Sequence, residues 1–174
     1  MPELLRPLTD IRDFVELGGP VVQVLLGVAI LLWTLILERV IYYRRAMPAE
    51  LARIEADWKA RSDRRSWFAH KIKQGWVSAA TRRIRGSLPL IKVLVALCPM
   101  IGLLGTVTGM IQVFNVMSAL GTGNARAMAS GVSAATLPTM AGMVVAISGL
   151  YFVSRFEQVV ERESHRLNDH LVTH

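Results

Sequence analysis

The chain has 174 residues, of which 52% are hydrophobic and only 19% are charged, and its formal net charge is +7. Soluble domains carry roughly 25% charged residues dispersed among the apolar ones, whereas here the apolar residues gather into blocks. This hydrophobicity excludes a disordered chain, and the single Cys98 excludes a disulfide-stapled domain. The length excludes a large multidomain enzyme.

The first 37 residues predict two helices. An apolar residue recurs at helical spacing in residues 1–16, at Leu4, Leu8, Ile11 and Val15. This pattern predicts a short amphipathic helix on the outer membrane face. Residues 17–37 follow as 21 residues without a charge, and about 20 helical residues cross the hydrocarbon core. Because this block is long and an acidic segment precedes it, we expect a retained first span rather than a signal peptide.

Residues 38–92 form a basic loop that contains 14 of the 20 Lys and Arg residues and only five Asp and Glu. The positive-inside rule places such a loop in the cytoplasm, where it also meets anionic headgroups. This explanation makes nucleic-acid binding unnecessary. Apolar residues at helical spacing predict two amphipathic helices in the loop, around Trp58 and around Trp76. A surface helix with its Trp residues in the membrane interface is the alternative.

Two further uncharged blocks of 28 residues, 93–120 and 127–154, predict the second and third spans. Residues 121–126 leave room only for a turn, so these two helices are antiparallel. An apolar stripe continues through residues 155–174 and predicts that the third helix runs on into the cytoplasm. The N-terminus is then expected outside the membrane and the C-terminus in the cytoplasm.

Both helices of this hairpin carry faces of small residues, which permit close helix packing in lipid. The second span contributes Gly102, Gly105, Thr106 and Gly109, and the third contributes Gly131, Ala135, Thr139, Gly142, Ala146 and Gly149. We expect these faces to pack either against each other or against identical subunits. Whether they serve packing alone or also line a channel stays open at this point.

Hydroxyl groups lie near the middle of the hairpin. A pivot in the turn places Thr106 level with Ala141, and Thr108 level with Thr139. Each hydroxyl could line a polar path, or it could merely bond a carbonyl of its own helix three or four residues back. Beside Thr139, Pro138 has no amide hydrogen for the carbonyl of Ala134, which therefore needs another partner.

None of the three blocks contains Asp, Glu, Lys, Arg or His. An ionisable group inside the membrane is the usual mark of a proton relay. If this chain helps to move protons, another polypeptide must supply the carboxylate. Cys98 is interpreted as a packing residue, and His170 and His174 as part of a solvated tail, so we expect no metal, no cofactor and no enzymatic reaction.

Two segments carry a resemblance to a known family. GLLGTVTGMI at residues 102–111 and GVSAATLPTMAGMVVAI at residues 131–147 resemble the signature stretches of the MotA/TolQ/ExbB proton-channel family. The likeness covers roughly residues 10–170 and is closest to the ExbB branch. Many members of that family carry Glu at the position of Ala134, so this chain departs from the family pattern there.

The resemblance implies an all-helical inner-membrane protein that forms a pentamer around a central pore. The pore would enclose an ExbD-like single-span partner whose Asp is protonated near Thr106 and Thr139, and protonation would weaken its hold on those residues. This implies a transducer of the proton-motive force that energises a TonB-like protein for uptake across the outer membrane. A TolQ-like envelope motor and a passive scaffold are the alternatives, whereas flagellar stator subunits have a fourth span.

Overall fold

The chain is described by a computed structural model over residues 18–61, 66–120 and 125–170. Its elements are α1 (Gly19–Lys59), α2 (Trp67–Arg85), α3 (Leu88–Leu120) and α4 (Ala125–His170). Three helices are long and apolar enough to cross a membrane. The prediction of an all-helical chain with three membrane-length helices is therefore confirmed for the described residues. The helix predicted at residues 1–16 lies outside them.

The helices are longer than the uncharged blocks that predicted them. The first continues past residue 37 and through Pro48 to Lys59, and the last runs to His170. Helix formation requires satisfied backbone hydrogen bonds rather than apolar side chains, so a change in composition need not end a helix.

Contacts divide the chain into two compact units. One, which we call the hairpin unit, comprises the described residues up to Leu32 together with Val93–Gly149. The other, which we call the loop unit, comprises Trp33–Lys92 and the described residues from Leu150 onward.

A small apolar core holds the loop unit together. Trp58 is only 4% exposed and lies with Ala69, Ala80 and Leu167 in one buried cluster, so α1, α2 and α4 all contribute. Trp76 meets Trp58 edge to face, with ring centroids 6.0 Å apart. Trp58 is therefore buried in the protein, and the partly buried Trp76 packs against it.

A turn joins α2 to α3 directly over a buried arginine. Gly86 has φ of 34°, and a Cβ at that position would lie 1.4 Å from Nη2 of Arg39. The Arg39 side chain is 8% exposed, and its Nε donates to Oγ of Ser87 at 2.7 Å. Tyr43 adds a hydrogen bond from its hydroxyl to the carbonyl of Ile84 at 3.0 Å. The turn thus needs glycine both for its backbone conformation and for space.

Replacing Gly86 tests this requirement. Gly86→Ala is expected to lower the free energy of unfolding by about 1–3 kcal/mol, because a Cβ strains this backbone conformation and overlaps Arg39. Gly75→Ala in α2 is the matched control, since a Cβ there meets nothing within 4 Å. The control is expected to stabilise the helix by about 0.5–1 kcal/mol. Far-ultraviolet circular dichroism during unfolding in detergent measures both, and equal effects would contradict the interpretation.

Glu50 connects α1 to α2 through two hydrogen bonds. Its carboxylate accepts one from Nη1 of Arg83 at 2.9 Å and one from the hydroxyl of Tyr42 at 2.8 Å. These bonds, the one from Arg83 first, lower the pKa of the Glu50 carboxyl below its usual value. The stabilisation that Glu50 provides is therefore present above its ordinary pKa, and it is lost as pH falls through the lowered value.

Glu50→Gln should consequently destabilise the protein at neutral pH and make little difference in acid. Thermal midpoints of the wild type and the variant are compared at about pH 7 and about pH 3, on either side of the titration of a carboxyl group. The difference between the two thermal midpoints is expected to narrow at the lower pH, because protonation removes the charge that the wild type gains from Glu50. A gap that persists unchanged would show that the carboxylate charge does not contribute.

Candidate functional site

Within the hairpin unit, α3 and α4 meet backbone to backbone. A Cβ placed on Gly102 would lie 2.8 Å from the carbonyl oxygen of Pro138 and 3.0 Å from Cα of Thr139. One placed on Gly142 would lie 2.6 Å from the carbonyl oxygen of Cys98. Only hydrogen fits at these two positions, so the two helices approach as closely as their backbones allow.

The other small residues named from the sequence lie on the same contact. Gly109 faces Ala135, Gly131 faces Val113, and Gly149 faces Val95, each too closely for an added Cβ. Ala135 is 2% exposed. Ala146 is buried as well. The small-residue faces therefore pack against each other within one chain, which was one of the two arrangements expected from the sequence.

The register of the hairpin differs from the prediction. Thr139 lies opposite Gly102 rather than Thr108, and Ala135 lies opposite Gly109. The placement of Thr108 level with Thr139, and of Thr106 level with Ala141, was therefore wrong by about one helical turn. The helices settle where glycines allow the backbones to approach, and this relative height is not fixed by the midpoint of the intervening turn.

The three candidate threonines divide into two groups. The Oγ1 of Thr106 donates to the carbonyl of Leu103 at 2.7 Å, and that of Thr108 donates to the carbonyl of Leu104 at 3.0 Å. Both hydroxyls thus bond back to their own helix. The Oγ1 of Thr139 instead crosses to the carbonyl of Gly102 at 3.2 Å. Thr139 is the candidate whose hydroxyl joins the two helices.

The acceptor of this bond could not be anticipated from side chains. A helical carbonyl such as that of Gly102 ordinarily accepts one hydrogen bond from the amide four residues ahead, and its second lone pair remains available. The Thr139 hydroxyl donates to this second lone pair. It comes close enough because Gly102 has no side chain that would keep α4 at a distance. The sequence feature that could have predicted this hydrogen bond was Gly102, because the absence of a side chain leaves its carbonyl accessible; no polar side chain marked the acceptor.

Pro138 occupies the centre of the contact. Its ring is almost completely buried, and a Cβ on Gly105 would lie 2.3 Å from Cβ of Pro138. Pro138 cannot donate to the carbonyl of Ala134, whose own side chain lies outside the described part of the structure. A second proline, Pro99, stands inside α3, and the sequence interpretation overlooked its equivalent effect on Val95.

Large apolar side chains surround this site and are exposed in the isolated chain. Met100, Leu103, Met140 and Val144 are each more than 60% exposed. Exposed apolar side chains of this size are stabilised by contact with lipid or with another protein. Cys98 is fully buried, and its Sγ donates to the carbonyl of Leu94 at 3.2 Å, in agreement with a packing role.

The hydroxyl geometry defines what this site can do chemically. A hydroxyl has one hydrogen to donate and two lone pairs that accept. At Thr106, Thr108 and Thr139 that hydrogen is already donated to a backbone carbonyl. The lone pairs remain, so these side chains can accept a hydrogen bond from a neutral acid, whereas a carboxylate would compete for hydrogens that are already used.

Comparisons with known proteins agree with the two motifs. A model of the MotA/TolQ/ExbB proton channel family matches residues 43–169. The ExbB-like 1 biopolymer transport protein of Synechocystis sp. is 45% identical over 71 residues, which cover 39% of this chain and 28% of that protein. The protein of the same description from Helicobacter pylori J99 is 29% identical over 94 residues, or 54% of this chain and 50% of its own length. The chain thus spans half or less of these relatives. No solved structure matches it.

A substitution at Gly102 tests the backbone contact. Gly102→Ala is expected to cost about 1–3 kcal/mol of stability through overpacking and to separate α3 from α4. Because Cys98 lies in the same contact, its thiol should then react faster with a maleimide in detergent. Gly27→Ala in α1 is the control, since a Cβ at that position meets nothing within 4 Å. Unchanged labelling in Gly102→Ala would mean that the helices do not depend on this glycine.

Proposed function

Because the chain belongs to the MotA/TolQ/ExbB proton channel family, we propose that it is an inner-membrane transducer of the proton-motive force of the ExbB kind. Family membership and three helices of membrane-spanning length support its placement in a membrane. The ExbB-like names of its relatives support the choice of branch. The basic loop 38–92 supports a cytoplasmic location for that segment.

The observation that carries the proposal is the hydrogen bond from Thr139 to Gly102 in a hairpin whose two apolar blocks contain no Asp, Glu, Lys, Arg or His. Such a wall offers polar contacts at the middle of an apolar block but has no group that exchanges a proton near neutral pH. A carboxyl group must therefore come from elsewhere, and we assign it to an Asp on the single transmembrane helix of an ExbD-like partner. Five copies of the chain would enclose that partner.

From the hydroxyl geometry we infer an order of binding opposite to the one that the sequence suggested. With their hydrogens donated to carbonyls, the threonines hold the neutral Asp more tightly than its carboxylate, because only the neutral acid can donate to them. Protonation from the periplasmic side then docks the partner helix against the hairpin. Release of the proton to the cytoplasm expels the charge from the apolar wall, and repetition of this cycle moves the partner helix. That movement drives a TonB-like protein.

Proton flux in liposomes tests the function. The chain is reconstituted with an Asp-bearing single-span partner, and flux under an imposed pH gradient is followed with an enclosed pH-sensitive dye. We expect flux with the complete pair, and background leakage with the chain alone or with the partner Asp changed to Asn. A passive scaffold would give background flux in all three preparations, which would overturn the proposal.

Thr139→Val in the same liposomes tests the site. Loss of the hydroxyl is expected to reduce flux about tenfold or more, the factor that follows from losing one hydrogen bond to a titrating group. Thr139→Ser should retain most of the flux because it keeps the hydroxyl.

Ser148→Ala provides the control for loss of a hydroxyl on the same helix, because the Ser148 hydroxyl bonds back to the carbonyl of Val145 at 2.8 Å. This variant should carry wild-type flux. If Thr139→Val does the same while the complex stays intact, the Thr139 hydroxyl has no part in the proton path.

A further inference from the structure

A polar groove of about 640 Å³ lies within the loop unit and has no role in the proposed proton path. The end of α2, the first turns of α3 and the extension of α4 form its walls. Leu88 and Val160 give it an apolar floor. A hydroxyl pair, Thr81 and Ser164, lies at 3.1 Å on one side.

The charges that line the groove are of both signs. Arg85 and Lys92 provide cations, and Glu157 and Glu161 provide anions. Lys92 and Glu157 form an ion pair with each other. Arg85 and Glu161 are exposed and make no ion pair within the described residues. Besides the imidazole of His165, the groove therefore presents the Arg85 cation and the Glu161 anion to a ligand.

The position of the groove along the chain places it at the edge of the membrane. Lys92 immediately precedes the uncharged block 93–120, and Glu157 follows shortly after the block 127–154. At 1.5 Å per helical residue, Lys92 and Glu157 are rooted within about 5 Å of the ends of these blocks, and Glu161 is rooted about 10 Å beyond the end of its block. The groove therefore begins at the depth of the lipid headgroups and extends from there toward the aqueous side.

From these features we infer that the groove binds the zwitterionic headgroup of phosphatidylethanolamine. Its phosphate pairs with Arg85, and its ammonium group pairs with Glu161. The apolar floor accommodates the start of an acyl chain. A purely anionic headgroup satisfies Arg85 but leaves Glu161 facing negative charge. The inference needs the helices to span a membrane, but it does not depend on proton transport.

Native mass spectrometry tests the headgroup preference. The full chain is reconstituted in nanodiscs with equal amounts of phosphatidylethanolamine and phosphatidylglycerol, and the lipids that remain bound after release are counted. We expect at least a threefold excess of phosphatidylethanolamine. Attraction to the net charge of +7 alone would favour the anionic phosphatidylglycerol, so equal retention or an excess of that lipid overturns the inference.

Two variants separate the contributions of the two charges. Arg85→Gln is expected to reduce retention of both lipids, whereas Glu161→Gln should abolish the preference and leave binding itself intact. Arg82→Gln and Asp57→Asn change exposed charges that do not line the groove, and both should behave as the wild type. A Glu161→Gln variant that keeps the full preference would overturn the assignment. The proton-flux assay is a separate measurement, so either proposal can fail without the other.

Discussion

The central constraint on this chain is that α3 and α4 touch through their backbones. In lipid there is no hydrophobic gain from bringing two apolar helices together, so their association depends on close van der Waals contact and on interhelical hydrogen bonds. Gly102 supplies both. Without a side chain it admits the backbone at Pro138, and its carbonyl then comes within reach of the Thr139 hydroxyl. The same residue thus determines the packing and creates the polar contact on which the proposed function depends.

The loop unit is stabilised by different interactions, as expected for a segment with so many charges. Its apolar core around Trp58 is small, and hydrogen-bonded charges complement it at Arg39 and Glu50. A buried arginine is costly unless its donors are satisfied, and the turn at Gly86 and Ser87 both covers this side chain and accepts from it. Glycine therefore serves both units, in one by allowing helices to touch and in the other by allowing a turn to close over a charge.

The sequence predicts the helices and the faces through which they pack, but it does not predict how far one helix is shifted along its axis relative to the other. Charge-free length identifies the three spans, and the spacing of small residues identifies the faces that meet, because both depend only on helical periodicity. Periodicity carries no information about sliding along the helix axis, so Thr139 was placed opposite Thr108 instead of Gly102. The sequence also could not predict that Thr106 and Thr108 bond to their own helix whereas Thr139 bonds across to α3. The carbonyl that a hydroxyl reaches depends on where the neighbouring helix lies. The groove beside Arg85 could not be predicted either, because its lining residues come from three different helices.

The glycine contact between α3 and α4 also has a mechanical consequence. Where side chains interdigitate, a small push can be absorbed by a change of rotamer, but two backbones in direct contact have no rotamers to change. The hairpin should therefore be rigid. A force that a neighbouring helix applies to it would move the hairpin as a whole and would not be absorbed by local repacking of side chains. In the proposed function, a stiff hairpin would keep its position while the partner helix moves against it.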